Sequence, residues 1–286
     1  MFDHVQAFYQ PKNVPEALRL LQRLRGGRVV SGATDLAAQA ERSTKFLIDV
    51  TRLGLSYIRR QGSGWAIGAT TTMGELENSP KIRALADGIL AQAVATCGSV
   101  QLRNMATVGG NLANASPAAD TATPLLAMDA TVVLQSAGGK KKLPLEKFFT
   151  GPRRTALSRA LLLEVLVPDP PPRSGFSFQK LGRTETDISL VNVAAGLAFD
   201  KSGRCTAAQI ALGAVGPTPL RARAAEKLLA GNKLTAALVE RAAEAAREAT
   251  SPISDVRASA EYRREMVAVL MRRALVECAQ RAGCEL

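Results

Sequence analysis

The proline-rich segment Pro168-Asp-Pro-Pro-Pro172 constrains the fold of this chain more than any other feature of its sequence. Proline has no N–H group and a fixed φ, so the segment continues neither a helix nor a central strand. It is a natural boundary within a 286-residue chain that can bury a substantial core. We therefore expect a C-terminal domain over residues 171–286.

The part before the prolines divides again near residue 55. Residues 1–55 predict a helix, a strand, a loop, a short helix and a strand, and Asn13-Val-Pro-Glu16 resembles a capping box at the first helix. Residues 56–170 predict the strands Trp65–Ala69, Thr131–Gln135 and Leu161–Val167 and the helices Ile82–Cys97 and Ala118–Met128. The middle domain also carries a second capping-box candidate, Thr72–Glu75, and a charged hairpin turn, Gly138–Lys142.

The C-terminal domain begins with strands and ends with helices. Its predicted strands are Phe176–Leu181, Val191–Phe199 and Gln209–Val215. From Arg221 onward the Ala-, Glu- and Arg-rich sequence predicts amphipathic helices that pack on a surface. The whole chain is thus expected to be α+β.

Composition excludes several classes of function. His4 is the one histidine, which excludes zinc sites built on several imidazoles and leaves a Ser/His/Asp triad only if His4 serves. The four cysteines form no CxxC pair and are interpreted as reduced thiols. The sequence has no apolar run long enough for a membrane span and no signal pattern at its N-terminus, so we expect a cytoplasmic protein.

The net charge of +12 could indicate nucleic-acid binding. However, the basic residues are scattered and come with few aromatics, whereas a nucleic-acid surface concentrates them. We therefore expect no nucleic-acid partner, and interpret the charge as a solvated basic surface that could face a more acidic protein.

Two loops of small polar residues could carry chemistry. The longer one, residues 104–120, contains Gly109 and Gly110, which allow close approach to the backbone, and neutral hydrogen-bonding side chains suited to pyrophosphate or sugar hydroxyls. The shorter one, Ser31–Leu36, follows an apolar strand and precedes a short helix. Each could instead be an ordinary turn before a capped helix, but two converging loops suggest a dinucleotide. Neither loop is a Walker or Rossmann motif.

The two loops together resemble the FAD-binding subunit of the molybdenum hydroxylases, the xanthine and carbon monoxide dehydrogenase type. That family has loops of the form AGGTDL and RNxxTxGGNLxxxSPxxD. The matching residues here are Ser31 to Leu36, Arg103, Asn104, Thr107, Gly109 to Leu112, Ser116, Pro117 and Asp120. Further similarity at Ile67–Thr71, Leu161–Pro168 and Phe178–Arg183 extends the resemblance over nearly the whole chain.

The resemblance implies a fold and a cofactor site. The fold is a two-part FAD-binding region of the vanillyl-alcohol-oxidase or PCMH type, followed by a C-terminal antiparallel sheet with helices. The backbones of both loops would bind pyrophosphate, Asp120 the ribityl or ribose region, Leu162 the adenine and Lys180 the isoalloxazine. The implied FAD-binding residues are Ser31, Gly32, Ala33, Thr34, Asp35, Leu36, Thr107, Gly109, Gly110, Asn111, Ser116, Asp120, Leu162 and Lys180.

This sequence departs from the family pattern at two points. Ala33 stands where the first loop often has a second glycine, and Ile188 follows Asp187 where some relatives have an aromatic residue. The iron–sulfur insertion of some relatives is missing as well.

The resemblance also implies partners and a role. A large subunit would hold molybdopterin, a small subunit two [2Fe-2S] clusters, and this chain would relay electrons to NAD, a quinone or oxygen. A stand-alone FAD-dependent oxidoreductase, a basic binding module without cofactor and a family-like subunit that has lost FAD are the alternatives. The first alternative needs an acid or base over the flavin, and the sequence offers no evident candidate.

Overall fold

The computed structural model describes residues 4–39 and 42–284. It shows three successive sheets, each with its own helices, and confirms the expected α+β architecture. The turn after Pro168 lies between the last strand of the second sheet and the first strand of the third.

The N-terminal part contains a parallel three-stranded sheet in the order β1-β3-β2. Its elements are β1 Ala7–Tyr9, α1 Val14–Arg23, β2 Gly27–Val30, α2 Thr34–Gln39 and β3 Phe46–Asp49. The sequence analysis missed β1, which is only three residues long. Asn13 caps α1 by accepting the Glu16 N–H, but Glu16 accepts from Lys12 and not from Asn13, so the expected capping box is only half formed.

The middle part is built on an antiparallel five-stranded sheet in the order β4-β5-β10-β6-β7 and a two-stranded β8-β9 ribbon. The strands are β4 Ile58–Arg60, β5 Gly64–Gly68, β6 Thr131–Ser136, β7 Gly139–Pro144, β8 Phe149–Gly151, β9 Arg154–Thr155 and β10 Leu161–Pro168. The helices are α3 Met73–Asn78, α4 Pro80–Ala84, α5 Ile89–Ala95, α6 Val100–Met105, α7 Val108–Asn114 and α8 Ala122–Ala127, with 3-10 turns at Leu85–Gly88 and Leu145–Lys147.

Local signals in the middle part have mixed outcomes. The Thr72/Glu75 capping box at α3 is confirmed in both directions. The predicted helix Ile82–Cys97 is wrong as one helix, because Ala86 and Asp87 have left-handed φ values of 48° and 53° and separate α4 from α5. Lys140 to Lys142 lie on the edge strand β7 and not in the turn, where their charges discourage pairing with another chain.

The C-terminal part is an antiparallel sheet in the order β11-β12-β13-β14 with three helices. The elements are β11 Ser174–Leu181, β12 Val191–Phe199, β13 Cys205–Gly213, β14 Leu220–Arg221, α9 Arg223–Leu229, α10 Ala236–Glu248 and α11 Ala260–Arg281. The third strand begins four residues earlier than Gln209, the predicted start.

Strand β12 is buried along its whole length because the C-terminal sheet is covered on both faces. Val193 and Leu197 pack with the C-terminal helices, whereas Ala194 packs with Phe176 and Phe178 in the core of the middle part. The FAD-binding region expected from the sequence and the C-terminal domain therefore share a hydrophobic contact.

Asp255 anchors the C-terminal helix α11 and provides a pH-dependent test of this packing. Its carboxylate accepts from Arg257 and from Arg263, whose side chain is only 2% exposed and also donates to the Leu190 carbonyl. The Arg257 hydrogen bond, opposed by burial and aided by the Arg263 charge, holds the pKa of Asp255 well below its ordinary value. Stability from this group is thus present above the unfolded pKa of about 3.9 and lost as pH falls.

We expect Asp255→Asn to lower the free energy of unfolding by about 2 kcal/mol at pH 7, because the buried Arg263 loses its counter-ion. Urea unfolding of both proteins at several pH values should show this difference shrinking below about pH 4. Asp169→Asn is the control, since its exposed pair with Arg60 is expected to contribute less than about 1 kcal/mol. A difference that stays constant down to low pH would contradict the assignment.

Candidate functional site

The first loop, Ser31–Leu36, joins the buried end of β2 to α2. A Cβ on Gly32 would lie 1.8 Å from the Met105 carbonyl oxygen, so the loop backbone rests directly on the end of α6. The Ser31 hydroxyl is inaccessible and has no hydrogen-bond partner among the described residues. A buried hydroxyl without a hydrogen-bond partner lowers stability, so a polar contact at this loop would be favourable.

Ala33 occupies the one strained position of the first loop, with φ at +57°. Left-handed backbone costs an L-residue roughly 1–2 kcal/mol, and glycine avoids that cost while losing some unfolded-state entropy. The departure from the family's second glycine therefore leaves strain in this turn.

We expect Ala33→Gly to raise the free energy of unfolding by about 0.5–1 kcal/mol. Chemical denaturation measures the change. The matched control is Ala37→Gly inside α2, where the same replacement should cost about 1 kcal/mol. A loss of stability in both variants would contradict the strain argument.

The second loop is not a continuous loop, because α7 forms within it. Thr107 caps α7 by accepting the Gly110 N–H at 3.2 Å. Gly109 is buried against β5: its N–H donates to the Ala69 carbonyl, and a Cβ would lie 2.5 Å from that oxygen. Gly110 is exposed, and a Cβ there would come within 4 Å only of the Thr107 hydroxyl. The two adjacent glycines thus have different roles, one in packing and one in keeping a surface open.

The backbone N–H groups of residues 108–111 all donate within the chain, to Thr71, Ala69 and Thr107. A pyrophosphate contact with this segment would share those donors. The pyrophosphate contact with Thr107–Asn111 therefore stays a prediction, and the open side of Gly110 is the place where a ligand can approach.

A side-chain contact links the helix after the first loop to the second loop. Gln39 of α2 donates to Asn114 of α7 at 3.1 Å. On the second loop's own side, Thr121 donates to Asn111 at 2.5 Å. The Ser116 hydroxyl accepts the Ala118 N–H and stabilises the turn between α7 and α8. Leu162 lies on β10, which packs against α7, and is buried in the core of the middle part. Its predicted contact with adenine stays a prediction.

Asp120 and Lys180 form a buried ion pair at the other end of this region. Lys180 Nζ lies 2.8 Å from Asp120 Oδ2 and 2.8 Å from the Thr96 carbonyl oxygen, and both side chains are 6% exposed. Burial raises the pKa of the Asp120 carboxyl, and the Lys180 charge opposes that shift. The sequence analysis assigned both residues to the site without foreseeing that they pair with each other.

Cys97 is a site neighbour that the sequence analysis missed. Burial, and next the carboxylate of Asp120, raises the pKa of its thiol to about 11, with smaller effects of Lys180 and Asp35. The thiol is therefore protonated at neutral pH and a poor nucleophile. The charged groups that affect this thiol include Asp35 of the first loop and both members of the ion pair, so Cys97 lies between the first loop and the pair. A lone cysteine carries no sequence signal for such a position.

Among the described residues, no group of three or more His, Cys, Asp or Glu could hold a metal ion. The four cysteines are free. Of the helices that the structure describes, none is long and apolar enough to cross a membrane.

Residues 2–170 match the family described as the FAD binding domain in molybdopterin dehydrogenase. The chain belongs to this family. Residues 176–278 match the CO dehydrogenase flavoprotein C-terminal domain, so both halves agree with the resemblance seen in the sequence. The chain is thus the FAD-binding medium subunit of a molybdenum hydroxylase, and FAD is its cofactor.

Relatives extend over the full length of this FAD-binding subunit. It is 33% identical to the 6-hydroxypseudooxynicotine dehydrogenase complex subunit alpha of Paenarthrobacter nicotinovorans, covering 98% of this chain and 95% of that one. It is 32% identical to the nicotinate dehydrogenase FAD-subunit of Eubacterium barkeri, with 94% and 95% covered. A carbon monoxide dehydrogenase structure from Hydrogenophaga pseudoflava superposes with a TM-score of 0.94 at 32% identity, and both chains are covered completely.

The residues of the FAD-binding subunit fit the cofactor. The Ser31 hydroxyl has no hydrogen-bond partner among the described residues, and Gly110 leaves space beside its exposed backbone. Lys180 has three N–H donors. Among the described residues it donates to the Thr96 carbonyl and to Asp120, so one donor is left for a bound molecule.

Proposed function

We propose that this chain passes electrons from the [2Fe-2S] clusters of a small partner subunit to an external acceptor such as NAD, a quinone or oxygen. In this proposal a large partner subunit holds molybdopterin and hydroxylates the substrate. The observation that carries the proposal is the match, over nearly the whole of this chain and of its relatives, to FAD subunits and medium chains of dehydrogenases.

The cysteines support the division of labour. An iron–sulfur cluster needs four Cys ligands, or Cys with His, held close together. Here Cys205 and Cys278 are buried thiols, and the described residues offer no cluster of metal-binding side chains. This supports the proposal that the clusters are held by another chain. Free buried thiols also support a reducing compartment, and we propose the cytoplasm.

FAD supplies the chemistry of this role, because it accepts single electrons and releases a pair. In this proposal the chain binds and orients FAD. Gly32 lets the first loop pack on the backbone of Met105, and Gly109 lets α7 pack on the backbone of Ala69. Ser31 would offer a polar contact and Gly110 space for the cofactor. We assign Leu162 to the adenine and Lys180 to the isoalloxazine. Lys180 would place its ammonium, fixed by Asp120 and Thr96, next to developing negative charge.

We further propose that the two FAD-binding parts are residues 1–55 and 56–170, with residues 171–286 as the C-terminal domain. Three sheets and three hydrophobic clusters support this division. The clusters also cross the boundaries, since Leu161 and Leu163 of the middle part pack with Ala17 and Ile48. The parts should therefore act as one rigid support for the cofactor.

The relay is tested by the order of reoxidation in the assembled complex. The complex is reduced anaerobically with dithionite and mixed in turn with NAD, a benzoquinone or oxygen, while flavin and cluster absorbance are followed. At least one acceptor should reoxidise the flavin, with the clusters following. In complex rebuilt with flavin-free chain, the clusters should stay reduced under that acceptor. Equal cluster reoxidation with and without FAD would overturn the proposal.

A further inference from the structure

The Asp120–Lys180 pair belongs to a larger buried hydrogen-bond network, whose other residues have no role in the family pattern described above. Its other members are Thr123, Ser189 and Asn192, each 0% exposed. The Ser189 hydroxyl donates to Asp120 Oδ1 at 2.6 Å, and Asn192 Nδ2 lies 3.3 Å from the same oxygen and 3.1 Å from the Ser189 hydroxyl. The network joins the start of α8 to β11 and to the start of β12.

Asn192 is held in one orientation. Thr123 donates to Asn192 Oδ1 at 2.9 Å, which turns the amide nitrogen toward Asp120 and Ser189. The opposite residue on β13 is Gly213, and a Cβ there would lie 2.2 Å from Asn192 Oδ1. The glycine thus leaves the space that the asparagine side chain occupies.

The effect on Asp120 is that both carboxylate oxygens have fixed donors. Lys180 contacts one oxygen, and Ser189 and Asn192 contact the other. Hydrogen bonds to the charged form of a buried carboxyl oppose the penalty that burial imposes on it. Asp120 is thereby held in one orientation, and it holds Lys180 Nζ in place.

We propose that Asn192 and Ser189 are positioning residues that orient Asp120, and thereby hold Lys180 Nζ where it stabilises electrons on the bound FAD. This inference rests on the proposed function, since it places Lys180 beside the isoalloxazine. Removing either donor leaves Asp120 Oδ1 less firmly held and lets the Asp120–Lys180 pair move. Lys180 Nζ is then less well placed, and the reduced cofactor loses part of its stabilisation.

The test compares Ser189→Ala and Asn192→Leu with Ser177→Ala. Ser177 is a matched control, because it is also fully buried and also donates to a carboxylate, that of Glu277, outside the network. Each holoprotein is titrated for the reduction potential of its FAD and for the dissociation constant of oxidised FAD. Neither reading depends on turnover or on the partner subunits.

Ser189→Ala and Asn192→Leu should bind oxidised FAD almost as wild type does but bind its reduced form about tenfold more weakly, which lowers the potential by about 30 mV. Ser177→Ala should leave the potential unchanged. If Asn192→Leu does not fold, Ser189→Ala carries the same comparison.

An unchanged or raised potential with stoichiometric FAD in the network variants would overturn this inference alone, as would an equal shift in Ser177→Ala. A wild-type chain that takes up no FAD would refute the proposed function and this inference together.

Discussion

Replacing Lys180 by methionine is expected to lower the free energy of unfolding by about 3–5 kcal/mol, because Asp120 is left as a buried charge without its partner. Asp120→Asn should have an effect of similar size, since it strands the ammonium. The burial of the pair makes these changes costly for stability as well as for the cofactor site.

The double variant Asp120→Asn/Lys180→Met separates charge from packing. Removing both charges should restore most of the lost stability, because a buried ion pair is weak evidence of net stabilisation. Urea unfolding of the four proteins without FAD gives the coupling energy directly. Additive losses in the double variant would contradict a direct interaction between the two side chains.

The second large effect is expected at Gly109. Gly109→Ala places a Cβ 2.5 Å from the Ala69 carbonyl oxygen and 2.7 Å from the Ala69 Cβ, so β5 and α7 must separate. Overpacking of this kind costs about 2–3 kcal/mol. Thermal or urea unfolding measures the loss, and FAD content should fall with it.

Gly110→Ala is the matched control in the next position of the same helix. Its Cβ would lie 2.9 Å from the Thr107 hydroxyl that caps α7, so this side chain must shift, but alanine gains helix propensity over glycine. Stability should therefore change by less than about 1 kcal/mol. FAD affinity should nevertheless fall about tenfold, because the methyl group enters the space assigned to the cofactor. Equal FAD affinity in wild type and Gly110→Ala would remove Gly110 from the site.

The parts of the fold that could be predicted are those set by neighbouring residues. The Thr72/Glu75 capping box depends only on two residues three positions apart, and the structure confirms it. The apolar runs at Leu161 and Val191 form strands at or within one residue of the predicted bounds. Both small-residue loops lie next to each other, and the family is confirmed along the whole chain.

The failures have two different causes. The break at Ala86 and Asp87 has a local signal, because Gly88 follows Asp87 and an Asp-Gly pair marks a turn, and the Asp87 carboxylate also accepts the Phe176 N–H. The Lys180–Asp120 pair joins residues sixty positions apart and leaves no local pattern that sequence reasoning could use.

The most direct test of the central claim is the cofactor content of this chain, purified alone and again with the subunits that co-purify. Absorbance and extraction should give one FAD per chain in both preparations, with iron and molybdenum only where partner chains are present. Absence of FAD from the chain and from the intact complex would contradict the assignment of this protein as the FAD-binding electron-transfer subunit.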